Sequence, residues 1–189
     1  MTKKIRRWLI GVLALCSVAA GGITLAFMFQ RAEKTNRFIS AQVSCAVHER
    51  LDGAEVDGNT AQGGEKSDIR VENTGNIKAF LRIRLVSYYV DADGNISGTV
   101  SSVFPTPALR NGWIAGPNHT YYYPHPVEPG GMTGILCEPI ALEQTELADG
   151  TPLYQVLQVF AEAIQAEPAS AAGEAWGVTL TNNEITTVS

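Results

Sequence analysis

The sequence is short of the residues from which most catalytic sites are built. It holds three histidines and three cysteines in 189 residues, and none of them falls at metal-ligand spacing. His48-Glu49 begins as a zinc-protease H-E-x-x-H would, but Asp52 stands where the second histidine belongs. His119 and His125 flank a tyrosine run and a proline corner, where a packed or solvated imidazole is the ordinary reading. No glycine-rich phosphate loop and no G-x-S-x-G elbow occurs. Asp91-Ala92-Asp93-Gly94-Asn95 opens like a calcium loop, yet Ile96 and Ser102 occupy the positions that require glycine and glutamate. A hairpin turn explains the same residues. There is no internal repeat and no low-complexity tract. These absences point away from an enzyme and from any cofactor.

Charge is missing from one long stretch. After Lys3, Lys4, Arg6 and Arg7 no charge appears until Arg31, and the run from Trp8 to Phe29 is apolar or small. Thr24-Leu25-Ala26 offers a small-residue cleavage site before Phe27, so residues 1–26 read as a secretory signal peptide. The same run is long enough to serve as a retained membrane anchor. A lipoprotein signal at Cys16 is disfavoured by the bulky Leu15 before it. The removed part holds four of the 14 basic residues and none of the 19 acidic ones, leaving a formal charge of −9. Such an excess disfavours nucleic acid and anionic lipid as partners. Two cysteines remain, Cys45 and Cys137. In an oxidising compartment the pair reads either as a disulfide or as two buried thiols in strands.

What is present is strand pattern. Ala79, Leu81, Ile83 and Leu85 fall on one face of an extended chain; Lys78, Phe80, Arg82, Arg84, Val86 and Tyr88 fall on the other. The turn cluster Asn73-Thr74-Gly75-Asn76, with Gly75 free to take positive φ, precedes this strand, and the Asp91 turn follows it. A first strand is expected over residues 36–47, with Ile39, Ala41, Val43, Cys45 and Val47 on one side. Residues 48–68 read as an exposed connection leading to a short strand over 68–72. Residues 98–103 are β-prone. Asn111–Ile114 and His119–Tyr123 read as hairpin arms around Gly116-Pro117-Asn118. Pro124, Pro126 and Pro129 impose an extended path outside the ladders, and Met132–Ile140 is a further strand candidate. Helical spacing of Val156, Val159, Phe160, Ala163 and Ile164 predicts a helix over 153–166. A short helical turn follows over 169–176 with Ser170 as cap, then a strand over Val178–Thr181. Tyr121 and Tyr123 should share one sheet face and Tyr122 the other, against the alternative of a tyrosine stacking platform. The whole is an all-β chain, a two-sheet sandwich with minor helical decoration. Its domain spans residues 36–181, with a free arm at 27–35 and a mobile polar tail at 182–189.

Several stretches, taken in order, resemble one family. Gly21-Gly22-Ile23-Thr24-Leu25-Ala26-Phe27 and Ala32-Glu33-Lys34-Thr35-Asn36-Arg37-Phe38 are similar to the export signal and mature start of the TasA/camelysin family. Val71-Glu72-Asn73-Thr74-Gly75-Asn76 with Ala79-Phe80-Leu81-Arg82 resembles its central motif. Trp113, Tyr121-Tyr122-Tyr123-Pro124, Pro129-Gly130-Gly131-Met132-Thr133, Ala161–Ala166 and Ala175-Trp176 follow in the matching order. The resemblance implies a jelly-roll-like sandwich and export from a Gram-positive bacterium after cleavage by a SipW-type signal peptidase. It also implies a secreted, non-enzymatic subunit or accessory of biofilm matrix fibres at the cell surface or in the extracellular matrix, with itself or a related subunit as partner. It further implies a strand, not a helix, at 153–166. Cys45, Cys137 and Met28-Phe29-Gln30 depart from the family pattern. Camelysin's metalloprotease label and a monomeric adhesin binding through its tyrosine face are the competing functions. For the fibre, Phe27, Met28, Phe29 and Phe38 form an apolar arm that could add as a strand to a neighbour's open edge.

Overall fold

The computed structural model describes residues 40–56, 60–98 and 104–188. The signal peptide, the cleavage site Ala26-Phe27, the arm at 27–35 and Phe38 lie outside those residues. From Ala41 onward the described residues are all-β apart from one short helix.

The alternation in the central strand does what its pattern requires. β3 (Ala79–Val90) buries Leu81, Ile83 and Leu85 in the principal core and leaves Arg84 exposed on the opposite face. It is the middle of a sheet ordered β5-β6-β3-β9-β8. Here β5 is Ile114–Ala115, β6 Thr120–Tyr122, β8 Gln144–Glu146 and β9 Pro152–Gln165. A two-residue strand, β4 (Ile96–Ser97), joins the end of β3 through the Asp91 turn. In that turn the Asp91 carboxylate accepts from the backbone N–H of Asp93 and Asn95, at 2.9 and 2.8 Å, and Gly94 takes φ +83°.

A second sheet is ordered β1-β2-β7, with β1 at Cys45–Val56, β2 at Thr60–Asn73 and β7 at Ile140–Ala141. These strands differ from the pattern expected of residues 36–72. The first strand begins at Cys45, Val43 is exposed, and residues 48–68 belong largely to a long β-hairpin. Residues 48–68 are rich in Gly, Asp, Asn and Glu, and that composition hid strands that the backbone pairing of the hairpin reveals. A bulge in β2 also breaks the period: Asp68 takes φ +55°, and Asp68 and Ile69 together oppose Glu49. Beyond the bulge the core-facing parity shifts, so that Lys66 is buried along with Ile69 and Val71.

Met132–Ile140 is not one strand. It follows β2 through separate bonds, Thr133 N–H to Val71 O at 2.9 Å and Leu136 N–H to Ile69 O at 2.8 Å, and becomes a ladder only at β7. The prolines keep residues 124–131 off the ladders, save one bridge between Val127 and Ala79. Gly75 does not take positive φ; the site demands glycine for space. A Cβ there would lie 2.3 Å from the Gln42 carbonyl oxygen, because Thr74 and Gly75 donate their N–H groups to Ser44 O. Asn73, fully buried, ties this turn together by donating to the Ile77 and Val127 carbonyls.

The segment expected to be helical, 153–166, is instead occupied by β9, antiparallel to β3 from Tyr154 to Gln165. The helical spacing misled because both of its faces are partly covered, which blurs a period of two. A helix, α1 (Ser170–Trp176), follows; Ala169 is its N-cap residue, and Ser170 is inside it with no capping side chain. The polar tail, expected to be mobile, forms a strand. The chain turns at Asn182 and Asn183, both at positive φ, and β11 (Glu184–Val188) returns along β10 (Val178–Thr181). Ile185 is buried there, in a second core formed with Phe80, Tyr122, Ala166, Ala172 and Val178. This second core lies on the outer face of β3, opposite the first.

Candidate functional site

The tyrosine run gives no open platform. Tyr121 packs in the principal core, Tyr122 in the second, and half-buried Tyr123 packs against the principal core and Trp113. The alternation expected from sequence is therefore the one observed, and a ligand site on this face is not. Cys45 and Cys137 are both free thiols. Burial raises the pKa of each, with Glu162 adding to the effect at Cys45, and Cys137 reaches about 11. Cys137 lies buried beside Tyr121, and Cys45 opens β1 opposite Asn73.

The histidines are dispersed. His48 Nε2 lies 2.8 Å from Glu72 and His125 Nδ1 3.1 Å from Glu184, both at the surface, while His119 stacks on Phe104. Among the described residues no three His, Cys, Asp or Glu side chains gather as metal ligands, and no helix is long and apolar enough to cross a membrane.

The feature with chemical consequence is backbone. β9 pairs with β3 from Tyr154 to Gln165, but β8 covers its other side only over Pro152–Tyr154. Antiparallel geometry then assigns directions. Gln155 donates its N–H to Glu143 O on the outer side, and Leu157 O receives Lys66 Nζ at 2.5 Å on that side too. The odd-numbered residues thus aim their backbone groups away from β3. Val159, Ala161 and Ala163 have no strand partner on that side among the described residues. Their side chains pack half-buried against the principal core. β1, also an edge strand, runs close by. Lys66 closes one end of this edge: its ammonium is also 3.0 Å from Glu49, so the cation carries its counter-charge into a largely buried position.

The residue spacing alone hid this edge by fitting a helix, whereas the strand that the family resemblance implies at 153–166 is the one observed. The β-branched content of Val156, Val159 and Ile164 with Phe160 was the signal that argued for a strand. Lys66 could not be found without the bulge at Asp68. No family model, no curated protein and no solved structure matches this chain.

Proposed function

We propose that the protein is a secreted, non-enzymatic subunit or accessory of extracellular matrix fibres, similar to the TasA/camelysin family and released by a SipW-type signal peptidase. On this reading the two principal sheets form a jelly-roll-like sandwich. One observation carries the proposal: the open edge of β9 at Val159, Ala161 and Ala163, next to the core. Unpaired N–H and C=O groups on an edge are a template for another chain. The arm at 27–35, with Phe27, Met28 and Phe29, is the occupant proposed for it, supplied by a second copy. Donor arm and acceptor edge are different surfaces, so the contact is head-to-tail and repetition gives an open filament.

The experiment uses two variants of the chain that starts at Phe27. Deleting residues 27–35 removes the donor. Ala161→Pro removes an outward N–H and places a ring against the incoming strand, while the bonds to β3 remain with the even-numbered residues. Each should fold and give no fibres by electron microscopy, and a mixture of the two should form at most dimers. Fibres from either variant alone, or none from the unaltered chain, refute the proposal.

A further inference from the structure

In this chain acidic residues outnumber basic ones, 19 to 14, and among the described residues every lysine and arginine except one has a carboxylate partner. Arg82 with Glu162 and Arg110 with Glu138 are two of those pairs. The exception is Arg84, exposed on the outer face of β3. With carboxylates in excess, a cation left unmatched marks a place where the counter-charge comes from outside.

Arg84 does not stand alone. Phe160, directly opposite it on β9, is 39% exposed, and the guanidinium lies 5.7 Å from the centre of its ring. Beside Arg84 opens a shallow depression of about 490 Å³, lined by Arg84, Val86, Phe104, Asn118 and His119. The His119 ring stacks on Phe104, centroids 3.4 Å apart and planes 11° from parallel. Asn118 and His119 take φ of +54° and +55°, a region that residues with side chains seldom enter. Two such residues in succession persist because the turn fixes them: Thr120 donates to Pro117 O at 3.2 Å, and Leu85 donates to His119 O at 3.0 Å. Strain held in this way is characteristic of binding sites.

We infer that this depression binds the carboxylate-bearing sugar units of an acidic polysaccharide. Arg84 takes the carboxylate, and the Phe104–His119 pair takes the apolar face of a sugar ring in the depression. Phe160, outside the depression on the other side of Arg84, takes that of a neighbouring unit. A guanidinium beside an aromatic face keeps its N–H edge free for the two parallel bonds that a carboxylate accepts. The Asn118 amide supplies both donors and an acceptor for hydroxyl groups. The form of the site favours a polymer, because small-molecule sites enclose most of their ligand and this one is open. A nucleic acid requires several phosphates to be neutralised together, which one arginine on an acidic chain does not provide.

The probe is a hexamer of galacturonic acid titrated calorimetrically into the full chain in mild non-ionic detergent. Its methyl ester, which keeps the rings and removes the charge, is the control. Saturable binding of the acid is expected, weakened about tenfold or more by esterification and by Arg84→Gln. Arg84→Lys should recover only part of the loss, since an ammonium is a point charge. Phe160→Ala should weaken binding while leaving the preference for acid over ester intact. No saturable binding, equal binding of acid and ester, or an unchanged affinity in Arg84→Gln overturns the inference. Arg84 is exposed, so that variant should fold, and a thermal melt of the same sample verifies it.

Discussion

Ile83→Ala should cost about 3–4 kcal/mol of stability, and Arg84→Ala, one residue further on, less than about 1 kcal/mol. Ile83 is completely buried, with Tyr121 of β6 on one side and Ala161 of β9 on the other. Removing three carbons forfeits about 2.4 kcal/mol of transfer free energy at ~0.8 kcal/mol each. Ladders hold β3 on both sides at this point, so its backbone cannot move in to close the space. A residual cavity of roughly 50 Å³ adds about 1 kcal/mol more. Arg84 loses only its contact with Phe160, of the order of 0.5–1 kcal/mol at an exposed site. Urea unfolding followed by circular dichroism reads both values, and the slope should stay constant while the midpoint moves. The melting temperature of the Ile83 variant should fall by roughly 10 °C, at about 2–4 °C per kcal/mol for a domain of this size. A loss below about 1 kcal/mol at Ile83, or comparable losses at the two positions, would refute the assignment of faces to β3.

Amino-terminal sequencing of the exported protein should begin at Phe27, since Thr24 and Ala26 are the small residues at the end of the apolar run; any other start, or an uncleaved membrane form, refutes the site. The pure protein should carry no stoichiometric zinc and hydrolyse no casein, and chelator-sensitive cleavage would revive the metalloprotease reading. Cys137 should resist alkylation at pH 8 in the native state and react fully in urea. Its pKa rises from the ordinary 9.0 to about 11 on burial. Its share of stability, about 2–3 kcal/mol, is therefore present below pH 9 and lost as pH climbs to about 11, which denaturant titrations at pH 8 and 10.5 would measure. Gly75→Ala should cost about 2 kcal/mol or more, because its methyl group would press on the Gln42 carbonyl at 2.3 Å; an unchanged midpoint would show that residues 42–44 can shift freely.

The parts of the fold that were legible are those where one face is wet and the other dry. β3 announced itself because charge and aliphatic residues alternate from Leu81 to Leu85, where Arg84 is exposed, and the arms around Gly116-Pro117-Asn118 because turn residues separate two apolar runs. Where that contrast fails, the pattern fails with it. β9 has the principal core on one side and Glu162 facing Arg82 on the other, so neither face is uniform and the residues fit a helix as readily. The tail from Asn182 carries one buried core residue, Ile185, whose packing partners Phe80 and Tyr122 are far away in sequence. The candidate edge is a property of pairing, and pairing is non-local: nothing in the residues of β9 says that β8 stops at Gln144. Arg84 was visible as an exposed charge, but its lack of a carboxylate partner among the described residues depends on where their carboxylates end up.

The position of two consecutive residues in β3 has a consequence for how the chain opens and closes. Phe80 and Leu81 are both fully buried, in different cores on opposite faces of one sheet, while Val127 and Ile164 flank this stretch along the ladder. Water is therefore shut out from above, below and both edges. No small fluctuation can bare these amides, since freeing either face means dismantling a whole core. Their protons should exchange with deuterium only when the entire molecule unfolds, so the slowest amides here report global stability directly. The outward N–H groups of Val159, Ala161 and Ala163, barely a strand away, should be among the quickest in regular structure to exchange.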